Sequence, residues 1–294
     1  MLETRVATEQ SGLSDSQIGQ FWQDGFIFMN DVFSEEEVMQ LREACLAPEI
    51  VQQSERDGQQ ERTIHYLAVT AKHPAFLELC RNPAIVEKVN CLIGSNIQLQ
   101  HSKLAAQATT KGKGGFGWHQ DFAFFPHTNT DLVAVMIMLD DATPDNGCMS
   151  MVRGSHKLGL LNHYVDGKFT GVCQETEAIE ADPNKITAIT PKMGGISIHH
   201  CLSLHGSGAN ISGRPRQGIV FQYRADDAYQ LISNTFTDTG LMVSGERGEQ
   251  VRLTEAIYHL PPRSAWKKSD EVSGTAWNQE GDFAREQNAR HSPL

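Results

Sequence analysis

Residues 115–121 read Gly-Phe-Gly-Trp-His-Gln-Asp, which sets His119 and Asp121 two positions apart among glycines and aromatics. An imidazole and a carboxylate at that spacing can ligate one metal ion, but the same pair occurs in ordinary turns, so a third donor is needed. The donors on offer lie far downstream, in GGISIHHCLSLHGSGANISGRPRQGIVFQYR, which holds His199, His200 and His205 and then Arg214 and Arg216. Two imidazoles and one carboxylate on one face of an octahedron leave three positions open, the layout of mononuclear non-haem Fe(II) oxygenases. Those positions take a bidentate co-substrate and dioxygen. A guanidinium close by can then grip the far carboxylate of a dicarboxylic acid through a two-pronged, charge-assisted contact. The chemistry asks for His-x-Asp, a distal His and an Arg beyond it.

The elements that must position these residues are legible in outline. Ser14-x-x-Gln17 and Ser34-x-x-Glu37 have capping-box spacing and each opens a short helical pattern, with FIFMNDV between them reading as a strand. Residues 49–62 are polar and aperiodic, which suggests a surface segment or lid, and Pro74 and Pro83 each start a further helical stretch. After Gly94 the texture changes to apolar runs separated by turn clusters: IQLQHSKLAAQA, FGWHQDFAFF, DLVAVMIMLDDA, CMSMV, ITAIT, GISIHHCL and RQGIVFQYR. That pattern predicts an antiparallel double sheet with helices ahead of it, and no β-α-β alternation points to a Rossmann fold. TEAIYHL reads as one more element, and the polar stretch beyond it as a peripheral tail.

Composition narrows the function. The chain has 294 residues and a formal net charge of -11, with only Lys111 and Lys113 as a basic cluster, so a nucleic-acid partner is not expected. No apolar run is long enough to span a membrane and MLETRVATEQSG lacks the layout of a secretory signal, so no membrane partner and a cytoplasmic location are expected. The six cysteines, Cys45, Cys80, Cys91, Cys148, Cys173 and Cys201, contain no C-x-x-C and read as reduced thiols.

An ordered set of motifs then carries a resemblance. W-H-Q-D, the stretch from Asp131 to L-D-D, D-N-G-C, G-S-H-K, L-H-G-S-G-A-N and a P-R-x-G strand resemble the phytanoyl-CoA dioxygenase (PhyH-like) family of Fe(II)/2-oxoglutarate oxygenases. The opening FWQDGFIFMNDVFSEEEVMQLR is similar too, so the likeness runs from about Leu13 to Tyr223. It implies a mainly β fold with flanking helices, a double-stranded β-helix of the jelly-roll, cupin-like kind. The expected organisation is one dioxygenase domain over residues 1–260, with a helical part at 13–93, a jelly-roll core at 95–225 and a peripheral tail at 261–294.

The resemblance implies His119, Asp121 and His205 as iron ligands and Arg216 as the partner of the distal carboxylate of 2-oxoglutarate, with Ser207 hydrogen-bonding near it. It also points to Lys103, Ile137 and Gln107 along the co-substrate pocket, Gln107 standing where many relatives have Lys. Val152-Arg153-Gly154 departs from the usual Val-Pro-Gly and reads as a loop change. The implied activity uses Fe(II), 2-oxoglutarate and O2 to oxidise an unactivated C–H of a small organic molecule, releasing succinate and CO2. Related halogenases have Ala or Gly at the carboxylate position, so Asp121 favours hydroxylation.

Other readings of single residues stand beside these. His199 and His200 point to opposite faces of a strand, so only one can look inward. Arg214 sits at a bend between Gly213 and Pro215 and reads as solvated, His127 and His156 as loop-bracing, and Phe122, Phe124 and Phe125 as core. Asn146-Gly147 is a turn signal. The segment 49–65 and the loop 153–185 are the expected substrate-facing insertions. Two rival functions are a catalytically silent jelly-roll module that binds 2-oxoglutarate and metal, and a cupin-type metalloenzyme without 2-oxoglutarate.

Overall fold

Ser14 and Ser34 each start a helix by the predicted device. Their hydroxyls accept from the backbone N–H of Gln17 and Glu37, whose side chains reach back to the backbone N–H of Ser14 and Ser34 at 2.9 and 2.7 Å. The helices run Asp15–Asp24 and Glu35–Cys45; Gly25 ends the first in a left-handed conformation at φ 90°. Strand β1 (Phe26–Met29) lies between them. The structure, a computed structural model, describes residues 12–51, 63–176 and 182–260.

Strand β2 (Ile64–Leu67) and the helices Val69–Lys72, Pro74–Cys80 and Pro83–Ile93 complete the N-terminal part. Then come β3 (Ile97–Ala106), β4 (Phe116–His119), β5 (Leu132–Met138), β6 (Met149–Val152), a small hairpin of β7 (Tyr164–Val165) and β8 (Lys168–Phe169), and β9 (Ile186–Ala188). The last strands are β10 (Ile196–His200), β11 (His205–Ser207), β12 (Gln217–Ala225) and β13 (Leu241–Ser244). A major antiparallel sheet has the order β1-β10-β5-β12-β3-β13, with β2 also pairing along β3. The minor sheet has the order β4-β11-β6-β9. The chain alternates between the two sheets, which face each other as a double-stranded β-helix.

Alternation along the major sheet decides which residues can reach the interior. Val133, Val135 and Ile137 of β5, Ile196 and Ile198 of β10 and Ile219, Phe221 and Tyr223 of β12 pack outward against the helices. The intervening Ala134, Met136, Met138 and Val220 look inward, toward Met149 of the minor sheet. Because side chains alternate with period two, one position's difference moves a residue to the other side of the sheet.

Several expectations need correction. FGWHQDFAFF is not one extended run: β4 stops at His119, and Asp121–Ala123 forms a 3-10 turn that buries Phe122, Phe124 and Phe125 together. β2, β11 and β13 were not anticipated as strands; β2 begins just after the stretch read as a polar lid, whose residues 52–62 lie outside the described ones. TEAIYHL forms neither helix nor strand, and the tail 261–294 lies outside the described residues. No helix among the described residues is long and apolar enough to cross a membrane.

Candidate metal centre

The minor sheet brings the two distant histidines together. His119 ends β4 and His205 begins β11, and the two are direct partners in the antiparallel pairing, their rings 4.1 Å apart. Each ring is fixed through Nδ1, against the carbonyl of Gly117 at 2.8 Å and that of Ser203 at 2.9 Å. With Nδ1–H donating to a carbonyl, Nε2 is the nitrogen that carries the lone pair on both rings. The 3-10 turn swings Asp121 into the same space, and one donor atom from each of the three residues falls within 4.8 Å of the others. All three are buried.

Their protonation suits a divalent cation. Burial pushes His119 down to about 4 and His205 well below the usual imidazole range. Burial works the other way on Asp121, but the facing His205 and the hydrogen bond from His199 outweigh it and hold the carboxyl well below its ordinary range. Neutral imidazoles and an ionised carboxylate are the ligating forms, so binding needs no proton to leave.

The inward face of the major sheet supplies the rest in rows. The row nearest the carboxylate runs His199 of β10, Ala134 of β5, Gln222 of β12 and His101 of β3. His199 Nε2 and Gln222 Nε2 reach the same Asp121 oxygen, Oδ2, at 3.2 and 2.5 Å. His200 points to the other face, among Phe21, Trp22 and His156, so His199 is the inward member of that pair. The next row is Ser197, Met136, Val220 and Lys103, and the one after it Met138, Gly218, Ala105 and His65.

Arg216 stands at the far end, just before β12. It is buried, its Nη2 donates to Gln107 Oε1 at 3.0 Å, and burial lowers its pKa only to about 10, so it stays charged at neutral pH. Among the described residues no carboxylate lies within ion-pair distance of it, and its Nε and the hydroxyl of Ser207 are buried without a hydrogen-bond partner. A buried cation with spare donors in these surroundings is matched to an anion that the described residues do not provide. Gln107 is held in turn by the Thr63 hydroxyl at 3.1 Å.

One cavity of about 590 Å³, counting its open mouth, is lined by His119, Asp121, His205, Lys103, Gln107, Ser207 and Arg216. Ile137 is not among the lining residues: it occupies an outward position on β5, packed in the helix-covered core, and Met136 takes the inward place. The alternation along β5 therefore corrects that assignment by one residue. Phe122, Phe124 and Phe125 stay in the core, and Phe116 is the aromatic that lines the cavity. Arg214 is exposed and pairs with Asp145 at 2.9 Å. Thr63, His65 and Gln222 were missed; counting by twos from Arg216 along β12 reaches Gln222 and was the available signal.

Such a donor set at the mouth of a jelly roll, sharing its cavity with a buried guanidinium, defines the class of mononuclear iron, 2-oxoglutarate-dependent oxygenases. The family model described as phytanoyl-CoA dioxygenase (PhyH) matches residues 21–218, and the chain belongs to that family. Among curated relatives, a probable alpha-ketoglutarate-dependent hypophosphite dioxygenase of Stutzerimonas stutzeri is 34% identical over 192 residues, covering 64% of this chain and 66% of that one. The ectoine dioxygenase of Sphingopyxis alaskensis is 26% identical over 240 residues, covering 74% and 78%. The crystal structure of EctD from S. alaskensis with 2-oxoglutarate and 5-hydroxyectoine shares the fold at a TM-score of 0.61, with 21% identity and coverage of 87% of this chain and 90% of that one. By family the chain is an Fe(II)/2-oxoglutarate-dependent dioxygenase, and its cofactor and co-substrates are Fe(II), 2-oxoglutarate and O2.

Proposed function

We propose that this enzyme hydroxylates an unactivated C–H of a small organic molecule, with His119, Asp121 and His205 holding iron. The observation that carries the reading is the pairing of two features in one cavity: three convergent ligating atoms, and a buried Arg216 that no carboxylate among the described residues pairs with. Fe(II) with 2-oxoglutarate and O2 supplies an oxidant able to replace C–H by C–OH, with succinate and CO2 as the other products.

The chain's own groups position and exclude. Arg216 takes the distal carboxylate of 2-oxoglutarate through charge-assisted donors, and the hydroxyl of Ser207 adds another. Gln107, which accepts from Arg216 Nη2, keeps the guanidinium aimed at that place. Lys103 lies two rows inward of Gln107 and contributes positive charge to the same space. Met136, Met149, Val220 and Phe116 line the cavity with apolar surface, which keeps water from the reacting atoms.

The test is O2-dependent succinate formation that needs added Fe(II), screened across small metabolites. Ectoine and hypophosphite, named in two relatives, belong in the first panel; hypophosphite offers a P–H bond in place of C–H. Asp121→Ala is expected to abolish turnover. Tight 2-oxoglutarate binding with no succinate from any compound would favour the silent binding module instead.

A further inference from the structure

Asp121 has two carboxylate oxygens, and the chain treats them differently. Oδ1 faces the histidine pair, 3.8 Å from His205 Nε2. Oδ2 receives both His199 Nε2 and Gln222 Nε2. We propose that His199 and Gln222 are positioning residues that clamp Oδ2, so that Asp121 offers a metal one oxygen only. The proposal rests on the assignment of Asp121 as a ligand.

Sheet geometry makes the clamp possible. His199 and Gln222 lie on β10 and β12, one on each side of β5, and both are register partners of the same residue, Ala134. Ala134 points inward between them. Its single methyl leaves room for two long side chains to converge over it on one oxygen; a larger residue would separate them.

The arrangement sacrifices hydrogen bonds elsewhere. His199 Nδ1 and Gln222 Oε1 are both buried with no partner among the described residues. Leaving two polar atoms unpaired costs stability, so core packing alone does not account for this pair. Their function follows from coordination arithmetic. A carboxylate binding through both oxygens would fill one of the three positions that the co-substrate and dioxygen require. Two donors on Oδ2 occupy the lone pairs that second contact would use, and they orient Oδ1 at the same time.

Anaerobic Fe(II) titration of the full chain, without substrate, tests this. His199→Phe and Gln222→Leu are each expected to weaken Fe(II) binding by about 10- to 100-fold. At matched iron saturation they are also expected to diminish the charge-transfer absorption that a 2-oxo acid gives on chelating Fe(II). His199→Gln, which restores a donor, should recover much of both. Where Gln222→Leu does not fold, Gln222→Met, similar in length and lacking a donor, takes its place. Folded variants with wild-type affinity and absorption overturn the clamp if Asp121→Ala abolishes binding. If Asp121→Ala binds Fe(II) as the wild type does, the ligand assignment itself fails.

Discussion

His119 and His205 are facing partners on neighbouring antiparallel strands, and each donates Nδ1–H to the carbonyl two residues before it. The same local device, repeated on two strands far apart in the chain, aims both Nε2 atoms at one point. A ring tethered at Nδ1 keeps both its tautomer and its tilt, which is the preorganisation a weakly held divalent ion requires.

Loss of either ring should therefore be more damaging than loss of any supporting group. His119→Ala and His205→Ala are expected to lower Fe(II) affinity by more than the roughly 10- to 100-fold typical of supporting residues. Competition with a metal chelator measures it, and near-native affinity in either variant would count against the assignment.

In the proposed reading Arg216 addresses the co-substrate rather than the metal. A charge-assisted contact contributes about 1.5–3 kcal/mol, so Arg216→Ala should raise the KM for 2-oxoglutarate by about 10- to 100-fold. Fe(II) affinity measured without co-substrate should be unmoved. Arg216→Lys keeps the charge but loses the fork and should fall between. An unchanged KM in Arg216→Ala would revive the metalloenzyme without 2-oxoglutarate.

Met136 and Ile137 separate packing from pocket. Ile137→Ala removes a buried side chain from the helix-covered core and should cost about 2–5 kcal/mol of stability, with 2-oxoglutarate and Fe(II) binding intact. Met136→Ala enlarges the cavity and should shift substrate KM or the ratio of oxidised product to succinate. The reverse pattern would show that β5 is set one residue out of the register described.

That pair also marks where the sequence stopped being informative. The candidate triad His119, Asp121 and His205, the buried Arg216 and the jelly roll were legible because short motifs fix residue type and spacing together. Ile137 was taken from the resemblance, and the pattern could not correct it because LVAVMIML, between Asp131 and Asp140, is apolar throughout; a strand buried on both faces has no polar alternation to report which side is inward. β11 was hidden for another reason. Three residues, His-Gly-Ser, with Gly206 among them and Gly208 directly after, read as a loop, and only pairing with β4 and β6 makes them a strand. His65 lines the cavity through lateral register across the sheet, a relation that linear spacing does not encode.

Acid should destabilise the protein through its histidines. Burial lowers His127 and His163 to about 4 and His101 and His200 to about 3. In the unfolded chain these groups titrate near 6.5, so as pH falls the unfolded state takes up protons that the folded state refuses. Stability should be level above about pH 6.5, then decline toward pH 3, a window that opens well above the carboxylate range. Urea midpoints across pH 8 to 4 test the sign; a flat profile from pH 7 to 5 would show that these histidines are accessible.

The division of the site between the two sheets has a thermodynamic consequence. His119 and His205 come from the minor sheet, while the residues that hold Asp121 come from the major one. An ion bound there is sensitive to whether the sheets are docked, so its binding free energy adds to the cohesion of the whole β-helix by mass action. The melting temperature thus becomes a gauge of iron supply. Apoprotein in an iron-poor cell would be the form most exposed to unfolding and proteolysis, which couples the lifetime of the enzyme to the availability of the metal it uses.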